Sequence, residues 1–340
     1  MVNIDTYRFM KNENNRVLPI EALRFLLMLV VCIWHFNSGM TLMHHGYLAV
    51  DFFFILSGFF LYQSATKKGA KSSLDYTLNK IKRYYPETIV VLLPLLIISW
   101  PRVLEEPHRL VNDLFFVTSS SVFGGGWNAP LWFLHIMILA GTILYPLVKN
   151  WAKISIPVIL PCIFLFAMTC LLNYGGGKLE INGIIGPFDC SLLMGLSEMS
   201  FGILTAAFWQ RKSENVLNHK YGTALLNAIS ILCSFAFILL TIIQPCYDRY
   251  ILIIAFFVII GCSVRVSILS SIFKSQIWGK LGSLSFELYL VHFAIMKVLV
   301  RYLGQGHDWW VFVGYIVTVF IAAIMLRWFY TKVLKMKAAR

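Results

Sequence analysis

The sequence predicts an all-α fold, a polytopic membrane protein of about ten transmembrane helices, and three observations carry that prediction. First, 59% of its 340 residues are apolar and only 13% are charged, whereas soluble domains run near 45–50% and about 25%. Mean hydropathy is +0.73, more apolar surface than a water-soluble fold can enclose. Second, the apolar residues fall into ten runs close to the ~20 residues that a helix needs to cross a bilayer. Third, the basic residues between those runs lie almost all on one side. Disordered, collagenous, coiled-coil and disulfide-built chains are excluded by the same composition.

In chain order the runs are 18–38, 46–64, 86–100, 129–148, 154–173, 189–209, 222–243, 249–270, 283–303 and 309–330. The third is short and lies between Pro86 and Pro101, and proline interrupts helices. The stretch ahead of the first run is polar and offers no cleavable signal. One membrane domain is therefore expected over 1–340, with short cytoplasmic tails of about 1–17 and 331–340. The loop 101–128 ends in Phe123-Gly-Gly-Gly-Trp127-Asn128, and 174–188 carries Gly175-Gly-Gly. Glycine runs argue against regular structure in both. Residues 72–83 read as a short basic amphipathic helix on the membrane surface.

Lys and Arg number 29 against 16 Asp and Glu, a net charge of +13. In a soluble protein that excess would suggest nucleic acid; in a membrane protein it gathers in cytoplasmic loops, so no nucleic-acid partner is expected. With the N-terminus inside, the inner segments hold twenty Lys and Arg, and the outer loops hold only Arg102, Arg109, Lys178 and Arg249. That bias places both termini in the cytoplasm and the protein in the cell membrane. The seven cysteines show no CxxC or Cys/His spacing. No metal is expected, and most read as small core residues. Cys190 and Cys246 share the outer side, but no disulfide is expected between them.

Charged side chains inside spanning segments cost several kcal/mol unless paired or facing water, so each marks a candidate site. Arg24, Arg265, Lys297, Arg301 and Arg327 are the basic ones; Glu21, Asp51, Glu198 and Glu287 are acidic, and His35, His135 and His292 lie in spans too. Arg24 and His35 are the most informative pair. Eleven residues bring them about 20° past three full turns, on one helix face and ~16 Å apart along the axis. Arginine holds phosphate by its fork, and imidazole has the pKa for general-base work. A long, phosphate-headed ligand threaded along the helix fits that pair, and coenzyme A has that form. The spacing alone also fits Arg24 pairing with Glu21 at i,i+3 and His35 as an interface histidine.

The motifs tip that balance. Arg24 through His35, then Gly46-Tyr-Leu-Ala-Val-Asp51-Phe-Phe-Phe-Ile-Leu-Ser57-Gly58, resembles the opening of acyltransferase family 3. Members of that family carry an Arg and a His separated by ten residues, then a phenylalanine-rich Ser-Gly helix. The likeness continues at Lys80-Ile-Lys82-Arg83-Tyr-Tyr-Pro86, at Pro130-Leu-Trp132-Phe-Leu134 to Tyr145-Pro146, and at Gly282-Ser-Leu-Ser285-Phe-Glu-Leu-Tyr289-Leu-Val-His292. It thus spans nearly the whole chain in order. Two departures stand out. Lys80 replaces the first arginine of the inner-loop pair, and Trp132-Phe-Leu-His-Ile-Met lacks the glutamate of many relatives. The resemblance implies transfer of an acyl group, usually acetyl, from a cytoplasmic acyl-CoA to a hydroxyl of a glycan or lipid-linked sugar. Some relatives carry a fused extracytoplasmic esterase-like domain; here the chemistry is expected to finish within the membrane domain.

Several residues keep two readings. Asp51 sits at about the depth of His35, either orienting its imidazole or forming a structural pair. Ser57 is a nucleophile candidate, although Ser-Gly in a spanning helix favours close packing. Arg265 joins Lys80 and Arg83 as a CoA-phosphate candidate or snorkels to the interface. Glu198 lies near mid-membrane and needs a partner, and His292 is either structural or chemical. Trp127 and Trp132 flank the outer mouth as sugar-stacking or interface-belt residues. The resulting expectation is a membrane-embedded O-acyltransferase using acetyl-CoA or another acyl-CoA, with no permanently bound cofactor. Its acceptor is a cell-surface polysaccharide or lipid-linked glycan precursor. His35 acts as base with Asp51, Arg24, Lys80, Arg83 and Arg265 hold the donor, and Ser57, Trp127, Trp132, Glu198 and His292 surround the acceptor. The alternative, a secondary transporter or flippase for a glycan or anionic substrate, shares the buried charges and outer aromatics. The two halves, however, show no paired Gly/Pro-broken helices of the kind transporters use.

Overall fold

A computed structural model describes residues 17–36, 43–118, 124–176, 179, 183–243, 248–264, 266–303 and 309–333. They form a helical membrane protein. Its helices are α1 (Leu18–Phe36), α2 (Leu48–Thr66), α3 (Ser73–Ile98), α4 (Arg102–Glu105), α5 (Pro107–Phe115), α6 (Leu131–Ile154) and α7 (Leu160–Tyr174). A two-stranded antiparallel hairpin, β1 (Ile184–Ile185) and β2 (Phe188–Asp189), leads into the second half. There follow α8 (Cys190–Asn218), α9 (Gly222–Ile242), α10 (Ile251–Ser263), α11 (Ile268–Ile272), α12 (Gln276–Leu303) and α13 (Trp309–Trp328).

All ten apolar runs are largely helical, and seven helical stretches among the described residues are long and apolar enough to cross a membrane. The difference has three sources. The run 154–173 continues from α6 into a single stretch of 44 residues, 131–174, which if straight would reach ~66 Å, twice the hydrocarbon thickness. Trp151 breaks it with non-helical φ and ψ of −128° and 30°, and a π-turn over Ser155–Ile159 follows. The run 249–270 contributes only the 13 residues of α10. The surface helix 72–83 and the run 86–100 fuse into the 26-residue α3, with Pro86 inside it. Ser72 starts α3 by accepting a hydrogen bond from the Asp75 N–H at 3.1 Å. Proline is tolerated within helices in a membrane, where neighbours re-satisfy the freed carbonyl.

Helices α2 and α8 are the most enclosed and α9 and α13 the least. On α9, Leu225, Leu232, Phe235 and Leu239 form an exposed apolar stripe, the inverse of a soluble helix and the face expected toward lipid. Glycine brings α2 and α8 together. A Cβ on Gly58 would lie 2.0 Å from the Met199 carbonyl oxygen, and one on Gly202 would lie 1.9 Å from that of Ile55. Neither backbone can approach so closely with a larger residue, the small-residue packing that lipid-embedded helices use.

Three basic residues of the last two spans find partners. Arg327 on α13 forms a bidentate pair with Glu287 on α12, at 2.6 and 2.7 Å, and also bonds the Ser283 hydroxyl. Arg301 donates to the Ile98 carbonyl and Lys297 to that of Trp127. Arg265 and Cys246 lie outside the described residues. Both glycine-bearing loops hold more order than expected. Asp189 caps α8 by accepting from Ser191 N at 2.9 Å. In the other loop, Asp113 of α5 folds the glycine run back by accepting from Trp127 N at 2.7 Å.

Candidate active site

A cavity of about 950 Å³ opens among α1, α2, α3, α6 and α12. From α2 it takes Phe53, Ser57, Phe60, Ser64 and, just past the helix end, Lys67. That i, i+3/i+4 spacing is one helix face, ~21 Å from end to end. The far end is basic: Arg24, Lys67, Lys71, Lys80 and Arg83 all line it, against Glu21 as the one acidic group among the described residues. Three of these five cations were expected at a donor site. Lys67 and Lys71 were not, because in the sequence they serve equally well as topology-setting charges.

Arg24 engages Glu21 through Nη1 alone, at 3.2 and 3.3 Å from its two oxygens. The i,i+3 pair and the ligand role are therefore compatible: the carboxylate anchors one edge of the guanidinium and leaves the rest to face the cavity. Lys80 lies 5.6 Å from the Tyr76 ring and 5.8 Å from the Tyr84 ring, and Arg83 5.4 Å from Tyr84. Tyr84 sits on α3 below the run 86–100. Burial pushes its hydroxyl up, but Lys80, Arg83 and Arg24 outweigh that and bring it down to about 8. A phenol made this acidic reports a strongly positive local field.

The other end is aromatic. Phe133 packs 6.1 Å from Phe53 and 5.9 Å from Tyr289, and Tyr289 is fixed by donating its hydroxyl to the Pro130 carbonyl. Behind Tyr289 stands His292 at 5.9 Å, and behind that His35 at 4.9 Å. Each imidazole has Nδ1 beside a carbonyl of its own helix: His35 with Val31 at 3.1 Å, His292 with Tyr289 at 2.6 Å. A carbonyl only accepts, so Nδ1 is the protonated nitrogen in both rings and Nε2 carries the lone pair. His292 is fully buried and its Nε2 has no partner among the described residues. Two potential bases thus stand side by side, one aromatic layer beyond the basic cavity.

The matching family model, an acyltransferase domain, covers residues 18–328. The chain belongs to acyltransferase family 3. A candidate O-acetyltransferase of Staphylococcus aureus strain COL is 23% identical over 88% of this chain and 54% of its own length. The peptidoglycan O-acetyltransferase OatA of Listeria monocytogenes is 24% identical over 93% of this chain and 55% of its own. The chain thus spans about half the length of these curated relatives. No solved structure matches it.

Against the family's motifs, the cavity gathers Arg24, Ser57, Lys80 and Arg83 but neither histidine. Ser57 spends its hydroxyl on the Phe53 carbonyl at 2.7 Å, a helix-internal bond that argues against a nucleophile. No hydrogen bond joins Asp51 to His35, whose Nδ1 is satisfied within α1. Both Asp51 carboxyl oxygens are buried without a hydrogen-bond partner among the described residues, and so are those of Glu198. The electrostatic neighbours of Asp51 include Asp248, and those of Glu198 are Asp51 and Asp248. The partner that Glu198 was expected to need is not found among the described residues. Trp127 is buried, with Arg109 5.6 Å over its ring and Leu92 and Val103 packed against it, so it is an anchor for the folded-back loop rather than an open stacking surface. Trp132 is half-buried against Phe54 at 5.9 Å.

Proposed function

We propose that the chain is a membrane-embedded O-acetyltransferase that takes its acyl group from acetyl-CoA and delivers it to a hydroxyl of a cell-surface polysaccharide or lipid-linked glycan precursor. One observation carries the reading: in an acyltransferase-family chain, a cavity with five cations at one end reaches Tyr289 at the other, and that ring stands between it and a pair of histidines. A polyanionic nucleotide head suits the first end, and a slender uncharged arm suits the aromatic walls above it. The charge bias between loops supports ten crossings, cytoplasmic termini and a basic cavity mouth facing the cytosol, where CoA resides.

An alcohol has a pKa far above neutrality, so its attack on a thioester needs a base as the carbon–oxygen bond forms. His35 takes the hydroxyl proton on Nε2, the tetrahedral adduct expels the CoA thiolate, and the proton returns to that sulfur. His292, its ring packed against His35, holds the base in place. The reading requires the acyl end of the arm to pass Tyr289, the ring between the cavity and the two imidazoles. The likeness to a peptidoglycan O-acetyltransferase makes cell-wall glycan the first acceptor to test.

The test uses sealed membrane vesicles with labelled acetyl-CoA on the side of the basic mouth and glycan fragments on the other. Ester-linked label on the glycan supports the reading. Movement of glycan without label would favour a transporter instead.

A further inference from the structure

Away from the main cavity, a second one of about 340 Å³ lies where the turn after α6 meets α8. Ile156 and Pro157 of the π-turn form one wall, and Leu204, Ala207 and Phe208 of α8 form the other. Arg211 and Lys212 close its end. Positions 204, 208 and 211 share one helix face, so the groove is apolar along its length and cationic at its foot. Neither cation forms an ion pair among the described residues, and both are exposed. Beside the groove, Trp151 and Ile154 are exposed at 59% and 61%. Large apolar side chains left uncovered at a bend, next to a tryptophan, belong at the boundary between acyl chains and headgroups.

We propose that this groove binds one anionic phospholipid, with its phosphate on Arg211 and Lys212 and an acyl chain laid against Leu204, Phe208 and Ile156. Charge complementarity selects the headgroup, since two unpaired cations favour a net negative lipid over a zwitterionic one. The apolar walls select a lipid over free phosphate, which would leave them uncovered. A lipid seated there bridges the broken α6–α7 junction to α8, the helix that also packs on α2. The site is separate from the proposed donor cavity and does not depend on the catalytic reading.

The test presents the full-length protein in detergent with phosphatidylglycerol or phosphatidylcholine carrying a photoreactive acyl chain, and maps the crosslinked peptides by mass spectrometry. Crosslinks within 154–158 and 204–212 are expected from phosphatidylglycerol in roughly thirtyfold excess over phosphatidylcholine, the effect of two membrane-surface cations. The Arg211→Ala/Lys212→Ala variant is expected to lose that preference, and the exposed single change Lys212→Gln to reduce it, with the elution profile reporting that each variant is folded. Equal labelling by the two lipids, or a preference unchanged in the variants, would overturn the proposal. So would displacement of phosphatidylglycerol by millimolar inorganic phosphate, which would make the foot of the groove a simple anion site.

Discussion

The imidazoles of His35 and His292 stand 4.9 Å apart, ring centroid to ring centroid, at an interplanar angle of 75°. They come from α1 and α12, which pack together with Gly282 of α12 against the Glu21 backbone of α1. Each ring has Nδ1 committed to its own helix. His292→Phe preserves an aromatic wall beside His35 but removes the second Nε2. Acylation is expected to fall roughly tenfold, short of the ~100- to 10,000-fold that a general base itself contributes. Initial rates at matched expression, with donor affinity measured alongside, check this. An unchanged rate would reduce His292 to packing.

At the basic end, Arg24→Ala is expected to weaken acetyl-CoA binding roughly tenfold, the loss of one charge-assisted phosphate contact. Arg24→Lys retains the charge but not the fork, and an intermediate affinity is expected. Lys67→Ala and Lys71→Ala, which touch nothing at the histidines, should raise the KM for acetyl-CoA without altering kcat. A titration of each variant at low and high salt separates the effects, because phosphate contacts at a cavity mouth weaken as ionic strength rises.

The α2–α8 contact tests the fold itself. With backbone oxygens about 2 Å from the sites of added methyl groups, Gly58→Ala and Gly202→Ala must push the helices apart. A loss of roughly 1–3 kcal/mol each is expected, typical of overpacking. Thermal unfolding in detergent measures it. Gly314→Ala, within α13 where a Cβ meets nothing within 4 Å, is the control and should hold stability or raise it by up to about 1 kcal/mol.

Asp113 gives the loop 101–128 a pH dependence. Burial is the main cause that lifts its carboxyl from 3.8 to about 6, against the pull of the Trp127 and Asn128 N–H groups, Lys297 and Arg109. The folded state therefore binds this proton more tightly than the unfolded chain does. Its contribution to stability is full below about pH 4, declines as pH rises through the interval up to about 6, and is flat above. Asp113→Asn is expected to remove that decline while leaving the Trp127 N–H acceptor in place. Unfolding midpoints of both proteins from pH 4 to 7 report the difference, and parallel curves would refute the assignment.

How far the sequence foretold this arrangement depends on the kind of relationship involved. Arg24 and His35 share one helix, so their spacing followed from helical geometry alone. The meeting of Arg24 with Lys80 and Arg83 followed from motif order. The environment of Asp51 was not legible, because it depends on how α2 is rotated against α1 and α8. The glycine contacts at Gly58 and Gly202 set that rotation, and it takes Asp51 toward Glu198 and Asp248. Trp127 resembled an exposed interface tryptophan until Asp113, fourteen residues earlier, was seen to fold its loop inward. Lys67 and Lys71 were hidden by ambiguity: the same cations satisfy topology and ligand binding, and only their place on the cavity wall separates the two. The pairing of Arg327 with Glu287 could be anticipated as a need of both residues but not as a pair, since it joins separate helices.

Transfer of labelled acetyl groups from acetyl-CoA to glycan, compared between the native protein and His35→Ala in vesicles of matched expression, is the most direct measurement of the proposed chemistry. A positioned imidazole contributes ~100- to 10,000-fold to such a step. The expected result is a fall in transfer of that size with acetyl-CoA binding retained, because His35 lies beyond the donor cavity. Near-normal transfer by folded His35→Ala would contradict a general base at this position and leave the imidazole as a packing group between α1 and α12.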